Sequence, residues 1–186
     1  MNASAREVLL EELRAHAVVI GEVTLTSGRK ASYYVDAKRA LLRQRAFRAA
    51  GELVAATAGE LGVRAVGGMS IGADPIACAA LSARGTDGLT AFFVRKERKE
   101  HGMQRWLEGP ELDRGTPCLV VEDVVTTGGS TVRAIERIRD EGLEIGGVLC
   151  VVDRLAGGGE AIEAAGGSPF RALVTIDELY PERPDR

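Results

Sequence analysis

Two adjacent carboxylates stand between an apolar segment and a loop of hydroxyl-bearing residues and glycines. Cys118–Val121 is apolar throughout, Glu122 and Asp123 follow it, and Thr126–Thr131 (TTGGST) comes shortly after them. The backbone N–H groups of such a loop can surround a phosphate, and carboxylates accept hydrogen bonds from sugar hydroxyls. The spacing therefore indicates a site for a ligand that carries sugar hydroxyls beside a phosphate.

These side chains require a buried strand before them and a helix after them. The apolar run Cys118–Val121 is typical of a parallel strand covered on both faces, and open α/β sheets bind ligands at the carboxyl ends of such strands. Val132, Ile135 and Ile138 recur at helical spacing, so the following helix has a core face. The start of that helix favours an anion. An ordinary strand-turn-helix with exposed acidic residues is the alternative.

A second segment concentrates positive charge directly after a predicted strand. Arg95–Gly102 (RKERKEHG) contains four cations and a histidine, and a long stretch with little periodicity follows it before Cys118. A segment of that kind in a compact domain is usually a lid or binding loop. We predict a flexible loop at about 96–112 that closes over a polyanionic ligand. A solvated charge run is the alternative.

Two further strand ends carry residues of interest. Arg154 follows the apolar run Ile145–Val152, where its guanidinium suits a planar anion such as a carboxylate. A salt bridge to Asp153 or a neighbour is the alternative. Ser70–Asp74 (SIGAD) follows a short predicted strand and is a second, weaker candidate for a phosphate loop, with Asp74 as the N-cap of the next helix.

The segment Gly21–Asp36 predicts a β-hairpin outside the main sheet, because its apolar and polar residues alternate around a Ser-Gly turn. Lys30 and Tyr34 on the return strand are residue types that contact an anion and a flat ring. A plain surface hairpin is the alternative. The polar segment Pro181–Arg186 is predicted to be poorly ordered.

The length suffices for one α/β domain over residues 1–186. The buried strands followed by helical patterns, together with the hairpin, predict a central, mostly parallel sheet flanked by helices and a small N-terminal hairpin. The chain has 186 residues, 45% of them hydrophobic, and a net charge of −3, which argues against a broad nucleic-acid-binding face. No leader or long apolar run is visible, so we expect a cytoplasmic protein without a membrane partner. The cysteines lie far apart and predict buried thiols in a reducing compartment: Cys78, Cys118 and Cys150.

Five motifs stand in the order found in the orotate phosphoribosyltransferases, which are type I phosphoribosyltransferases. They are TLTSGRKASYYVD, GGMSIGADPIA, FFVRKERKEHG, VVEDVVTTGGST and VVDR. The resemblance covers nearly the whole chain. It implies the type I fold and transfer of ribose 5-phosphate from phosphoribosyl pyrophosphate (PRPP) to N1 of orotate in UMP biosynthesis. It also implies Mg²⁺ bound mainly through PRPP or pyrophosphate, and a homodimer with shared active sites.

The resemblance assigns three groups of contacts, and it assigns no protein ligand to a metal. The pyrophosphate contacts are Arg95, Lys96, Lys99 and His101. The ribose and 5′-phosphate contacts are Glu122, Asp123, Val124, Val125, Thr126, Thr127, Gly128, Gly129 and Ser130. The orotate contacts are Thr126, Arg154, Lys30 and Tyr34. Lys99 and Asp123 are the expected catalytic residues.

The chain departs from the family pattern in two loops, where Thr26 and the sequence SIGAD stand in place of lysine-containing versions. Two other interpretations stay open. A related phosphoribosyltransferase would use uracil, xanthine or hypoxanthine. A non-enzymatic PRPP sensor would bind nucleic acid and should carry a basic face.

Overall fold

The structure is a computed structural model that describes residues 3–24, 30–85, 87–97, 105–166 and 169–186. Its strands are β1 (Val18–Thr24), β2 (Lys30–Val35), β3 (Ala65–Met69), β4 (Thr90–Val94), β5 (Leu107–Glu108), β6 (Pro117–Val125), β7 (Glu144–Asp153) and β8 (Phe170–Thr175). Its helices are α1 (Ala5–His16), α2 (Lys38–Leu41), α3 (Gln44–Leu61), α4 (Asp74–Leu81), α5 (Gly129–Asp140), α6 (Gly158–Gly166) and α7 (Ile176–Leu179).

A six-stranded sheet forms the centre, in the order β5-β4-β3-β6-β7-β8. Strands β4, β3, β6, β7 and β8 pair in parallel, and only the short β5 runs antiparallel, along β4. The predicted α/β class with a mostly parallel sheet flanked by helices is confirmed. The predicted hairpin is also confirmed, since β1 and β2 pair antiparallel in a separate sheet. The hairpin tip, which includes Thr26, lies outside the described residues.

Strand β6 is covered on both faces, as its uninterrupted apolar run predicts. Successive side chains of a strand point to opposite faces. Leu119 and Val121 accordingly belong to one core cluster, and Cys118 and Val120 belong to the other. Full burial of a valine or leucine side chain contributes about 1.5–3 kcal/mol to the stability of the fold. Strand β6 is therefore held firmly in the core and fixes the positions of the residues that follow it.

Helix α5 begins directly after the loop that follows β6, and it buries Ala134, Ile135 and Ile138 against the sheet. The turn into the helix depends on Gly128, which adopts φ 76°. A Cβ atom at this position would lie 2.7 Å from the carbonyl oxygen of Gly158. Both the positive φ and the close backbone contact therefore require glycine here.

The predicted loop at 96–112 contains an element that its sequence did not reveal. Leu107 and Glu108 form β5 and pair with Val94 and Phe93 of β4. A two-residue strand has no periodicity to detect, so sequence reasoning missed it. Residues 98–104 lie outside the described part of the chain.

Candidate active site

Glu122 lies near the carboxyl end of β6 and is only 4% exposed. Its Oε2 atom accepts hydrogen bonds from Ser130 Oγ at 2.7 Å and Thr131 Oγ1 at 3.1 Å. These bonds tie the strand end to the first turn of α5. Burial raises the pKa of Glu122 to about 7; the Ser130 hydrogen bond opposes that rise, and the neighbouring Asp123 charge adds to it.

Asp123 accepts two hydrogen bonds and lies close to the backbone of the loop after β3. Its Oδ2 atom accepts from Lys38 Nζ at 3.1 Å, and its Oδ1 atom accepts from the Val124 N–H at 2.9 Å. A Cβ atom on Gly72 would lie 2.5 Å from Oδ1, so only glycine allows the loop after β3 to approach this closely. Lys38 was missed by sequence reasoning, because it lies 85 residues away from Asp123 and no local pattern connects them.

Lys38 contacts two carboxylates, since its Nζ atom also lies 3.0 Å from Asp36 Oδ1. Burial lowers the pKa of Lys38, but the hydrogen bonds and negative charges of Asp36 and Asp123 outweigh burial and raise that pKa above its ordinary value. Lys38 therefore stays positively charged throughout the physiological pH range and compensates the charge of Asp123.

The loop between β6 and α5 is open to a ligand. Thr126 and Thr127 are exposed, Ser130 is half-buried and Gly128 is buried. The N-cap of α5 is Gly128, which has no side chain to cap the first turn. The uncapped N–H groups at the start of a helix provide hydrogen-bond donors and a favourable dipole for an anion. The phosphate contacts of residues 124–130 stay a prediction.

The second candidate loop, Ser70–Asp74, lies beside the first, because its Gly72 abuts Asp123. Ser70 Oγ donates to Asp74 Oδ1 at 2.8 Å, and the peptide bond between Ser70 and Ile71 is cis. The predicted N-cap was wrong by one position: α4 begins at Asp74 and its N-cap is Ala73, which has helical backbone angles. Helix boundaries commonly shift by a residue in this way.

Arg154 lies at the end of β7, and its backbone N–H donates to the carbonyl of Val125 at 2.9 Å. Because Val125 ends β6, the guanidinium and the loop after β6 share one edge of the sheet. Arg154 Nη2 donates to the Tyr33 hydroxyl at 3.0 Å and lies 3.7 Å from Asp185 Oδ2. Instead of pairing with Asp153, Arg154 faces the hairpin.

Tyr33 joins the hairpin to the last residues of the sequence. Its hydroxyl donates to the Asp185 carboxylate, whose two oxygens both lie at 3.0 Å. Burial and the Asp185 hydrogen bond raise the pKa of Tyr33. The expectation that Pro181–Arg186 is poorly ordered was wrong, because Asp185 forms these contacts and also pairs with Arg183.

The hairpin residues predicted to contact orotate are only partly described. Tyr34 is 40% exposed and lies on the face of β2 opposite Tyr33, as strand alternation requires. Lys30 begins β2 and pairs with Thr24. Sequence reasoning chose Tyr34 and missed its neighbour Tyr33, which contacts Arg154; the order of two adjacent tyrosines does not reveal which one faces the sheet.

Of the predicted pyrophosphate contacts, Arg95 and Lys96 follow β4 and are described, whereas Lys99 and His101 lie outside the described residues. Arg95 Nη1 contacts Glu108 Oε1 at 2.8 Å, and Lys96 is exposed. A residue that sequence reasoning missed, Arg137 of α5, donates to the backbone carbonyls of Arg95 and Lys96.

The described residues contain no cluster of three or more His, Cys, Asp or Glu side chains that could hold a metal ion. Glu122 and Asp123 already accept hydrogen bonds from Ser130, Thr131 and Lys38. A metal held mainly by protein side chains does not fit this arrangement, whereas one held mainly by ligand phosphates does. None of the described helices has the length and apolar character needed to span a membrane.

Comparisons with known proteins assign the family. No protein-family model matches the chain. Orotate phosphoribosyltransferase from Corynebacterium glutamicum is 49% identical over 179 residues, which cover 96% of each chain. The Mycobacterium tuberculosis enzyme with Fe(III) dicitrate has a TM-score of 0.85 at 45% identity, over 95% of this chain and 99% of that one. The same enzyme with PRPP has a TM-score of 0.81 at 40% identity, over 94% and 98%. This chain belongs to the orotate phosphoribosyltransferase family.

Proposed function

We propose that this chain transfers ribose 5-phosphate from PRPP to N1 of orotate, with release of orotidine 5′-monophosphate and pyrophosphate for UMP biosynthesis. The observation that carries the proposal is that Arg154 and the hydroxyl-rich loop lie at the same edge of the sheet. Arg154 is hydrogen-bonded through its backbone to Val125, the residue that precedes the hydroxyl-rich loop. A carboxylate-binding group and a phosphate-binding loop are thereby presented side by side, as a reaction between orotate and PRPP requires.

On the PRPP side, Asp123 and Glu122 accept hydrogen bonds from the ribose hydroxyls, and the loop residues 124–130 bind the 5′-phosphate through N–H and hydroxyl donors. Ser130 and Thr131 fix the orientation of Glu122, and Lys38 fixes that of Asp123. The carboxylates are thus arranged before the ligand arrives, which reduces the cost of ordering them on binding.

Catalysis requires no protein nucleophile. Positive charge develops at C1 of the ribose while negative charge collects on the departing pyrophosphate. We assign Arg95, Lys96, Lys99 and His101 to that pyrophosphate, because cations stabilise its developing charge. Asp123 faces the electron-poor ribose, so its negative charge favours the same transition state. Mg²⁺ held by the phosphate oxygens supplies further positive charge when bound.

On the orotate side, Arg154 binds the carboxylate of the base through its planar fork of N–H donors. Thr126 contacts the ring from the loop, and Lys30 and Tyr34 contribute from the hairpin. Uracil, xanthine and hypoxanthine carry no carboxylate and so offer the guanidinium no group of opposite charge. Arg154 therefore favours an acidic base over these alternatives.

A direct assay tests the proposal: orotate consumption and pyrophosphate release are measured with PRPP, with and without Mg²⁺. We expect turnover with orotate, none with uracil or hypoxanthine, and a large loss when Mg²⁺ is chelated. Turnover of another base in preference to orotate would reject the assignment. Binding of nucleic acid at physiological salt, without turnover of any base, would favour the sensor interpretation.

We further propose a cytoplasmic homodimer of single-domain chains (residues 1–186) in which the loop at 96–112 carries Lys99 to the partner's site, while Arg95 and Lys96 at the start of the loop act in the site of their own chain. Cys118 and Cys150 are buried, as predicted, whereas the predicted burial of Cys78 was wrong, because it is exposed. All three are free, which suits a reducing compartment. Lys99→Ala and Asp123→Ala chains, each inactive alone, are dissociated together and reassembled. Random mixing gives half heterodimers with one intact site each, so activity should return to about a quarter of wild type. Heterodimers without activity would contradict shared sites.

A further inference from the structure

Arg137 reaches from the last turn of α5 to the point where the chain leaves β4. Its Nη1 atom donates to the Arg95 carbonyl at 2.6 Å, and its Nη2 atom donates to the Lys96 carbonyl at 2.9 Å. Nη1 also lies 3.4 Å from Met69 Sδ at the end of β3. One guanidinium thus holds two consecutive peptide groups at the start of the predicted flexible loop.

The same guanidinium contacts the returning side of that loop. It lies 4.2 Å from the centre of the Trp106 ring, within the range of a cation–π contact. The backbone N–H of Trp106 donates to Glu141 Oε1 at 2.8 Å. Glu141 lies one helical turn beyond Arg137. The Trp106 carbonyl accepts from the Arg95 N–H at 2.9 Å. Both ends of the loop are therefore attached to each other and to the end of α5.

Helix α5 connects these contacts to the other half of the site, because it begins at the hydroxyl-rich loop and Ser130 lies in its first turn. An α-helix is stiff over this distance, so groups bonded to its last turn keep a fixed position relative to its start. Arg137 contacts only the backbone carbonyls of Arg95 and Lys96. The side chain of Arg95 pairs with Glu108, and that of Lys96 is exposed.

We propose that Arg137 is a positioning residue for PRPP: it fixes the two ends of the loop to the helix that carries the phosphate-binding turn. This inference rests on the proposed function, since it assigns Arg95 and Lys96 to the pyrophosphate. Arginine suits the role because its planar fork bonds two carbonyls while its face contacts an indole. Lysine can replace the charge but not both contacts.

The chain offers a matched control on the same helix. Arg139 also donates to two consecutive backbone carbonyls, those of Ala165 and Gly166, each at 2.7 Å. These carbonyls end α6, away from the loop at 96–112. Arg139→Ala therefore removes an equivalent pair of hydrogen bonds without releasing that loop.

The first readout needs no activity. Trp106 is the sole tryptophan of the chain, so intrinsic fluorescence reports its surroundings alone. Arg137→Ala should change the Trp106 emission and increase its quenching by acrylamide, Arg137→Lys should have a smaller effect, and Arg139→Ala should match wild type. Equal quenching in wild type and Arg137→Ala would overturn the proposal.

The second readout is kinetic. In Arg137→Ala the KM for PRPP should rise about tenfold, the size expected for loss of charge-assisted hydrogen bonds, while the KM for orotate changes less than about twofold. Arg139→Ala should leave both KM values unchanged. Equal effects of Arg137→Ala and Arg139→Ala in an active enzyme would overturn the positioning role. Absence of turnover in wild type would instead reject the proposed function, and the fluorescence result would still decide whether Arg137 holds the loop.

Discussion

The two sides of the candidate site lie at the ends of adjacent strands, yet they are held together in different ways. On the PRPP side, Glu122 finds its hydrogen-bond partners eight and nine residues further along the chain. On the orotate side, Arg154 contacts Tyr33, which is 121 residues away. The centre of the first side is assembled by local sequence around one strand-turn-helix unit, to which tertiary contacts add Lys38 beside Asp123. The second side is assembled only by the complete fold. A substitution on one side should therefore affect the ligand of that side more than the ligand of the other side.

The largest effect is expected for Asp123→Asn. The amide keeps the volume and the acceptor towards Lys38 but removes the charge that faces the ribose, so kcat/KM should fall by about 10²–10³, the range typical for loss of a preorganised electrostatic contact. Steady-state kinetics provide the measurement. Glu144→Gln, at the exposed start of β7, is the control and should retain full activity. A loss of less than twofold in Asp123→Asn would remove Asp123 from catalysis.

Arg154→Ala should act on the other side. Loss of charge-assisted hydrogen bonds costs about 1.5–3 kcal/mol each, so the KM for orotate should rise at least tenfold while the KM for PRPP stays within about twofold. Arg171→Ala provides the control, because this exposed arginine of β8 pairs with Glu60. Parallel rises in both KM values would show that Arg154 supports the whole site and not the base alone.

Glu122→Gln tests how strongly the PRPP side is buried. The pKa of Glu122 is about 7 in the folded protein, against an ordinary value of 4.5. Between these values the folded state binds more protons than the unfolded state, so stability is lost as pH rises, by about 1.4 kcal/mol for each unit of the difference. Urea unfolding at pH 4.5, 6 and 7.5 should show this decline in wild type and in Glu144→Gln. Glu122→Gln should flatten it, and an unchanged slope would contradict the burial argument.

The smallest effect is expected for Tyr33→Phe. The substitution removes one hydroxyl that contacts Arg154 and Asp185 but keeps the buried ring. A typical hydrogen bond contributes about 0.5–1.5 kcal/mol, so the KM for orotate should rise two- to tenfold. Thr57→Val serves as the control, because it removes one hydroxyl that donates to the Leu53 carbonyl within α3. If Tyr33→Phe were as damaging as Arg154→Ala, the guanidinium would depend on Tyr33 for its position.

The same contrast explains what the sequence could predict. The buried strand, the hydroxyl-rich loop and the apolar face of α5 form one contiguous segment, so periodicity and residue type sufficed to identify them. Lys38, Tyr33, Asp185 and Arg137 reach the site only through tertiary contacts, and nothing near them in sequence indicates a partner. Strand β5 escaped detection because two residues carry no period.

The central claim is that PRPP and orotate are recognised by separable groups on neighbouring strands. Calorimetric titration of PRPP into wild type, Asp123→Asn and Arg154→Ala, each with Mg²⁺, tests it most directly. We expect Arg154→Ala to bind PRPP with the wild-type Kd and Asp123→Asn to bind it at least tenfold more weakly, whereas orotidine 5′-monophosphate should bind more weakly to both variants. Equal weakening of PRPP binding in Arg154→Ala and Asp123→Asn would contradict the separation.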